Sequence, residues 1–127
     1  MKIARFRAGR RVAFGVVMDD EVVEIRGSIY TRFRMTDTRI PLSEVVLLPP
    51  TEPSMIWGPG LNFADHLNFA ASVLGGEARE APKHPEPWHK GRNSLTGPGD
   101  PIIIPKDSSG EVHYEGEVVA VIGKQCR

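Results

Sequence analysis

This sequence has one cysteine, no net charge and no long apolar run. Each of these features argues against a particular class of protein. The single cysteine, Cys126, excludes a disulfide within the chain and is typical of a reducing cytoplasm. The 16 basic residues balance 16 acidic ones, whereas nucleic-acid-binding proteins normally carry a basic face. No apolar run approaches the roughly 18 residues of a membrane span, and the N-terminal MKIARFRAGRR lacks the apolar core of a secretory signal. We therefore expect a cytoplasmic protein without nucleic-acid or membrane partners.

The first 50 residues predict a small β lobe. KIARFR, RVAFGVVM and EVVEI are short segments rich in β-branched and apolar residues, and a turn at Gly9 and the pair Asp19–Asp20 separate them, which favours a β-meander. Residues 26–40 show no clear period. Prolines at positions 49, 50 and 53 remove backbone donors and end regular structure. We therefore expect one domain over residues 1–50 and a second over residues 51–127.

The second domain is predicted to contain strands, turns and a single helix. SMIWGPGLN is typical of a buried strand that enters a glycine turn, and residues 77–90 are polar, proline-rich and predicted to form a loop. PIIIP and residues 112–122 predict two further strands. NFADHLNFAASVLGG places Phe63, Leu67, Ala70, Ala71 and Leu74 on one helical face, with Gly75 and Gly76 as the C-terminal stop. The expected fold class is mainly β (α+β).

Two glutamates, Glu115 and Glu117, stand out in the final predicted strand. Alternate residues of a strand share a face, so His113 and both glutamates would lie on the same side, with the two carboxylate-bearing residues roughly 6.6 Å apart. Burying two unpaired carboxylates costs several kcal/mol. A divalent cation would remove that cost, and an all-oxygen donor set suits Mg²⁺, Mn²⁺ or Ca²⁺ better than zinc. The alternative is a solvated edge strand that carries two surface glutamates.

Two further residues are candidates for chemistry. His66 lies at the border of the apolar helix face, where it could act as a general acid or base or be a boundary histidine with a satisfied hydrogen bond. Lys90, beside His89 and Arg92, could bind a substrate carboxylate as a point charge or belong to a solvated loop. GPGLN lacks the lysine and hydroxyl of a phosphate-binding loop, and Cys126 has no matched histidine nearby in the sequence.

Four segments in this order resemble the fumarylacetoacetate hydrolase family: MKIARF, GLNFADH at 60–66, KGRNSLTGPGDPI at 90–102 and HYEGEVVAVIGK at 113–124. Residues 1–50 resemble the small β lobe of its bacterial isomerase- and decarboxylase-like members. The resemblance implies that a mixed β-roll with a short lid helix begins after that lobe. It also implies a homodimeric, Mg²⁺- or Mn²⁺-dependent enzyme. Such enzymes hydrolyse, decarboxylate or isomerise β-diketo acids, acylpyruvates or 2-hydroxydienoic acids, as 2-hydroxyhepta-2,4-diene-1,7-dioate isomerase does.

The same resemblance implies roles for individual residues. Glu115 and Glu117 match two of the family's metal ligands, and His66 matches the catalytic histidine of the lid. Lys90 matches the lysine that contacts the bound oxo acid. Asn62 and Phe63, in the motif that leads into the helix, are expected among the substrate-binding residues. The expected partner is therefore a small-molecule oxo acid.

Two departures from the family pattern affect these expectations. Hydrolytic members carry a glutamate three residues after the lid histidine, where this chain has Phe69, so isomerisation or decarboxylation is favoured over hydrolysis. The family's third metal ligand is an aspartate further along than residue 127, so the sequence resembles the N-terminal part of a member. We expect weak metal binding, an exposed and incomplete sheet that favours self-association, and little activity from this chain alone. The alternatives are an inactive fragment and a metal-dependent oxo-acid-binding module without turnover.

Overall fold

The computed structural model describes residues 1–74, 80–110, 112 and 114–125. The chain divides into two compact units, Met1–Thr51 with Thr96–Arg127 and Glu52–Leu95. The described residues form strands, two short 3₁₀ turns and one α-helix, which confirms a mainly β fold with one short helix. Among these residues, no helix is long and apolar enough to cross a membrane.

The first unit contains a five-stranded antiparallel sheet in the order β4-β3-β2-β1-β5. Its strands are β1 (Lys2–Ala8), β2 (Arg11–Met18), β3 (Glu21–Gly27), β4 (Phe33–Pro41) and β5 (Val46–Leu47). A 3₁₀ turn, Leu42–Glu44, connects β4 to β5. The predicted meander of three strands is confirmed.

Strand β4 was absent from the prediction for physical reasons. A register shift between Val23 and Ile25 of β3 interrupts its pairing with β4. Along β4 itself, only Phe33, Thr36 and Ile40 are partly buried, at spacings of three and four residues. A bulged edge strand therefore carries no period-two apolar signal that a sequence could reveal.

Two-residue loops connect the first three strands and fix their register. Ala8 pairs with Arg11 across the first loop, whose leading residue Gly9 has a φ of 58°. Met18 pairs with Glu21 across the second, where Asp19 has a φ of 51°. Glycine and aspartate both tolerate this left-handed conformation, so the sequence suits each tight turn.

The core of the first unit lies on the central strands. Phe6 of β1 and Val22 of β3 are fully buried at 0% exposure, and Val16, Val23 and Ile25 are also buried. Gly15 makes this packing possible, because a Cβ there would lie 3.1 Å from the Phe6 ring and 2.8 Å from the carbonyl oxygen of Val23. The aromatic ring therefore fills the space above a residue that has no side chain.

One ion pair connects the second and third strands. Arg11 Nη1 donates to Glu24 Oε1 at 2.5 Å. The hydrogen bond from Arg11 lowers the pKa of the Glu24 carboxyl below its ordinary value of 4.5, although partial burial acts in the opposite direction. The second oxygen, Oε2, is buried and has no hydrogen-bond partner among the described residues. Arg11 therefore favours the ionised form of Glu24 in this partly buried position.

The second unit contains a two-stranded antiparallel sheet and the helix. Strand β6 (Ile56–Gly60) pairs with β7 (Glu86–Lys90), and α1 (Ala64–Leu74) lies between them in the chain. The helix is confirmed, with Leu67 buried at 5% exposure on its predicted apolar face. The prediction of a loop over 77–90 is wrong at its end, because residues 86–90 complete a sheet with β6. The strand at Ile56–Gly60 is confirmed, but its predicted burial is wrong, since Trp57 is 62% exposed.

The structure does not form the two later predicted strands. Residues 101–105 and 114–125 have no regular secondary structure, and their side chains are exposed, with Val118 at 96% and Ile122 at 70%. An apolar pattern produces a strand when a neighbouring strand supplies hydrogen bonds and cover, and no strand among the described residues pairs with either segment. Gly75, Gly76, His113 and Cys126 lie outside the described residues.

Candidate functional site

The segment between β6 and α1 holds two of the predicted substrate-binding residues in a constrained turn. Leu61 has a φ of 52°, a left-handed conformation that costs free energy in any residue with a Cβ atom. Asn62 and Phe63 follow it and are exposed. The Leu67 amide donates to the Phe63 carbonyl oxygen at 3.2 Å, which connects this segment to the first turn of α1. Strained backbone of this kind is typical of functional segments.

His66 lies in the first turn of α1 and is exposed, directly before the buried Leu67. Burial of Leu67 anchors the helix and leaves the neighbouring His66 at the surface. Phe69, three residues later, is 57% exposed. A phenyl ring cannot accept or donate a proton, so Phe69 cannot help His66 to activate water.

Lys90 is the last residue of β7, and its side chain lies over the ring of Trp88. Its Nζ lies 5.0 Å from the centroid of the Trp88 ring, within the range of a cation–π interaction. On the other face of the sheet, the rings of Trp57 and His89 lie 5.7 Å apart at an interplanar angle of 50°. Sequence reasoning missed Trp88, although its spacing of two from Lys90 would place both on one face of a strand.

Glu115 and Glu117 belong to the first compact unit, whereas Asn62, Phe63, His66 and Lys90 belong to the second. Both glutamates are exposed, and the segment that carries them is not a strand. Their carboxylate oxygens suit a hard divalent cation. Among the described residues, however, no cluster of three or more histidine, cysteine, aspartate or glutamate side chains could hold a metal ion. The pair is therefore at most a partial ligand set.

Comparison with known sequences identifies the family. Residues 55–127 match the family described as Fumarylacetoacetate (FAA) hydrolase C-terminal, and this range includes every candidate site residue. The chain belongs to the fumarylacetoacetate hydrolase family. Residues 1–50 match the family described as Rv2993c-like, N-terminal. The resemblance in the four sequence motifs is thereby confirmed.

Two relatives show the extent of the similarity. The chain is 39% identical over 93 residues to the Fumarylacetoacetate hydrolase domain-containing protein 2 homolog of Dictyostelium discoideum, covering 73% of this chain and 28% of that protein. It is 39% identical over 87 residues to the mitochondrial Oxaloacetate tautomerase Fahd2a of Rattus norvegicus, covering 68% of this chain and 25% of that protein. This chain thus spans less than a third of either relative.

A solved structure supports the same fold. The crystal structure of Cg1458 with inhibitor matches with a TM-score of 0.70 and 31% sequence identity, covering 86% of this chain and 41% of that one. Its similarity extends over both units of the chain. The fumarylacetoacetate hydrolase type of fold predicted from the motifs is therefore confirmed.

Proposed function

We propose that this chain takes part in the divalent-metal-dependent keto–enol isomerisation of a small oxo acid. The observation that carries the proposal is the alignment of residues in this chain with relatives named oxaloacetate tautomerase, at 34–39% identity over 80–87 residues. Phe69 supports isomerisation over hydrolysis, because tautomerisation moves a proton and needs no activated water. The substrate class is a 2-oxo acid with a second carboxylate or carbonyl.

Each candidate residue has a role suited to its chemistry. Glu115 and Glu117 would supply two oxygen ligands to Mg²⁺ or Mn²⁺, which when bound would polarise the substrate's oxo group. The Lys90 ammonium would bind a substrate carboxylate as a point charge. Asn62 would offer an amide to a substrate oxygen, and Phe63 would pack against the carbon chain.

His66 would transfer the proton. In the keto-to-enol direction its imidazole would accept a proton from the carbon next to the oxo group and then give that proton to the enolate oxygen. The reverse transfers convert the enol to the keto acid, so no atoms are gained or lost. An exposed imidazole on the first turn of α1 can meet a ligand without rearrangement of the buried Leu67.

A second candidate function is metal-dependent binding of an oxo acid without turnover. The contact between Lys90 Nζ and the Trp88 ring, 5.0 Å from the ring centroid, favours it, because this contact orders an anion-binding ammonium and supplies no group that transfers a proton. Binding and chemistry are separable, because binding needs Lys90 and the glutamates, whereas chemistry also needs His66.

The test is an assay of enol oxaloacetate decay by ultraviolet absorbance, with Mn²⁺ alone and with Mn²⁺ plus the 127-residue chain, alongside calorimetry with oxalate. We expect the chain to add a small acceleration to that of Mn²⁺ alone, and Glu117→Gln should remove it. Glu44→Gln, which changes an exposed carboxylate of the Leu42–Glu44 turn, is the matched control and should leave it unchanged. Oxalate binding without acceleration would support the binding module. If the chain neither binds oxalate nor accelerates enol decay, both proposed functions are wrong.

A homodimeric assembly and a cytoplasmic location stay predictions. Sedimentation equilibrium of the chain at several concentrations would test the first.

A further inference from the structure

We propose that Trp88, seated on Gly58, is a positioning residue that holds the Lys90 ammonium for the substrate carboxylate. This inference rests on the proposed function of Lys90. Trp88 and Gly58 carry no charge and transfer no proton. They would contribute to the affinity for the anion through the packing of the indole ring on the glycine.

The register of the two strands places the three residues on one face. Gly58 pairs with Trp88 and Ile56 pairs with Lys90, so positions 88 and 90, two apart on β7, point to the same side. Position 57 lies on the opposite side, where its indole contacts the His89 ring. The sheet therefore separates its two tryptophans, and one of them accompanies the lysine.

Gly58 creates the seat for the ring. A Cβ built at position 58 would lie 2.7 Å from Cε2 of Trp88 and 3.0 Å from Cη2, distances at which the ring would have to move. The indole thus lies directly over the backbone of β6, in space that any side chain at position 58 would occupy. A glycine in a strand commonly marks such a close approach.

The seated ring restricts the lysine. Lys90 has a flexible four-carbon stem whose ordering costs conformational entropy when an anion binds. With Nζ held 5.0 Å from the ring centroid, part of that ordering is present before the ligand arrives. The ammonium is attracted to the ring face and keeps N–H donors directed away from the ring for a carboxylate.

The first test measures the arrangement itself by NMR of the unliganded 127-residue chain. Stacking on the indole should shift the Lys90 ε-methylene protons upfield, and the Lys90→Met spectrum assigns them. Trp88→Leu and Gly58→Ala should each abolish the shift, Trp88→Phe should retain part of it, and Trp57→Leu is the matched control that should leave it unchanged. A normal shift in the wild-type chain, or one that survives Gly58→Ala, would overturn the seating of the ring.

The second test measures oxalate affinity in the presence of Mn²⁺ by calorimetry. Loss of a surface cation–π interaction predicts about two- to fivefold weaker binding for Trp88→Leu and Gly58→Ala, partial rescue in Trp88→Phe and no change in Trp57→Leu. Lys90→Met distinguishes the role of Lys90 in anion binding from the positioning role of Trp88. If Lys90→Met weakens binding and Trp88→Leu does not, the positioning role is wrong while the proposed function stands. If Lys90→Met has no effect, or the wild-type chain does not bind oxalate, the role of Lys90 fails and the inference fails with it.

Discussion

Replacement of Phe6 by alanine should remove much of the stability of the five-stranded sheet. The ring is fully buried at 0% exposure, and a buried aromatic side chain removes at least about 150 Å² from water. At about 25 cal/mol per Å², this area corresponds to about 4 kcal/mol, which agrees with the roughly 3–5 kcal/mol measured for such truncations. The cavity left by the ring would stay largely open, because Gly15 beside it has no side chain that could fill the space.

Urea unfolding followed by far-ultraviolet circular dichroism measures this loss. Tryptophan fluorescence would be the wrong probe, since Trp57 and Trp88 both lie outside the sheet. Met18→Ala, at a position 43% exposed, is the control and should change the unfolding free energy by about 0.5 kcal/mol or less. A loss under about 1.5 kcal/mol for Phe6→Ala, with an unchanged urea dependence, would refute the assignment of Phe6 as the centre of the core.

Three further predictions concern the core, the ion pair and the site. Gly15→Ala should destabilise the sheet by about 1–3 kcal/mol in the same urea assay, and a neutral result would mean that Phe6 can shift at no cost. Arg11 lowers the pKa of Glu24, so the ion pair stabilises the folded chain above pH 4.5, and this contribution is lost as the pH falls through the folded-state pKa of Glu24. The difference in unfolding free energy between wild type and Arg11→Met, measured in urea at a series of pH values, should therefore fall towards zero in acid. A difference that does not change with pH would contradict the pairing. In calorimetry, Glu115→Gln should weaken Mn²⁺ binding at least about tenfold. His66→Ala should remove the small acceleration of enol decay and leave Mn²⁺ binding unchanged; loss of Mn²⁺ binding in His66→Ala would instead make His66 a ligand or a structural residue.

Local signals in the sequence predicted the parts of the fold that local physics determines. The turn at Gly9 and the acidic pair at Asp19 fix tight loops between apolar segments, so the first three strands were predictable. The helix was predictable because its apolar spacing, with Leu67 at the centre, is set within a few turns.

The remainder depends on pairing between distant segments. Strand β7 contains Pro87 and polar residues, and it forms because β6 lies beside it. The seat of Trp88 on Gly58 joins positions 30 residues apart, which no periodicity reveals. For residues 112–122 the apolar run at the end of the segment predicted a strand, but an apolar run indicates only a potential for burial, and the described residues provide no neighbouring strand. Motif resemblance located Glu115, Glu117 and His66 in the sequence, whereas their spatial arrangement depends on contacts that lie outside each motif.

The sequential order of strands β1 to β4 has a consequence for how the chain acquires its structure. Strands β2, β3 and β4 each pair with the strand that precedes them in the chain, so the contacts between them are of short sequence separation within residues 2–41. Low contact order favours rapid folding, and N-terminal segments emerge first during synthesis. We expect this sheet to assemble on the ribosome before β7 has been translated. Limited proteolysis of arrested nascent chains of increasing length would reveal protection at that stage, or its absence.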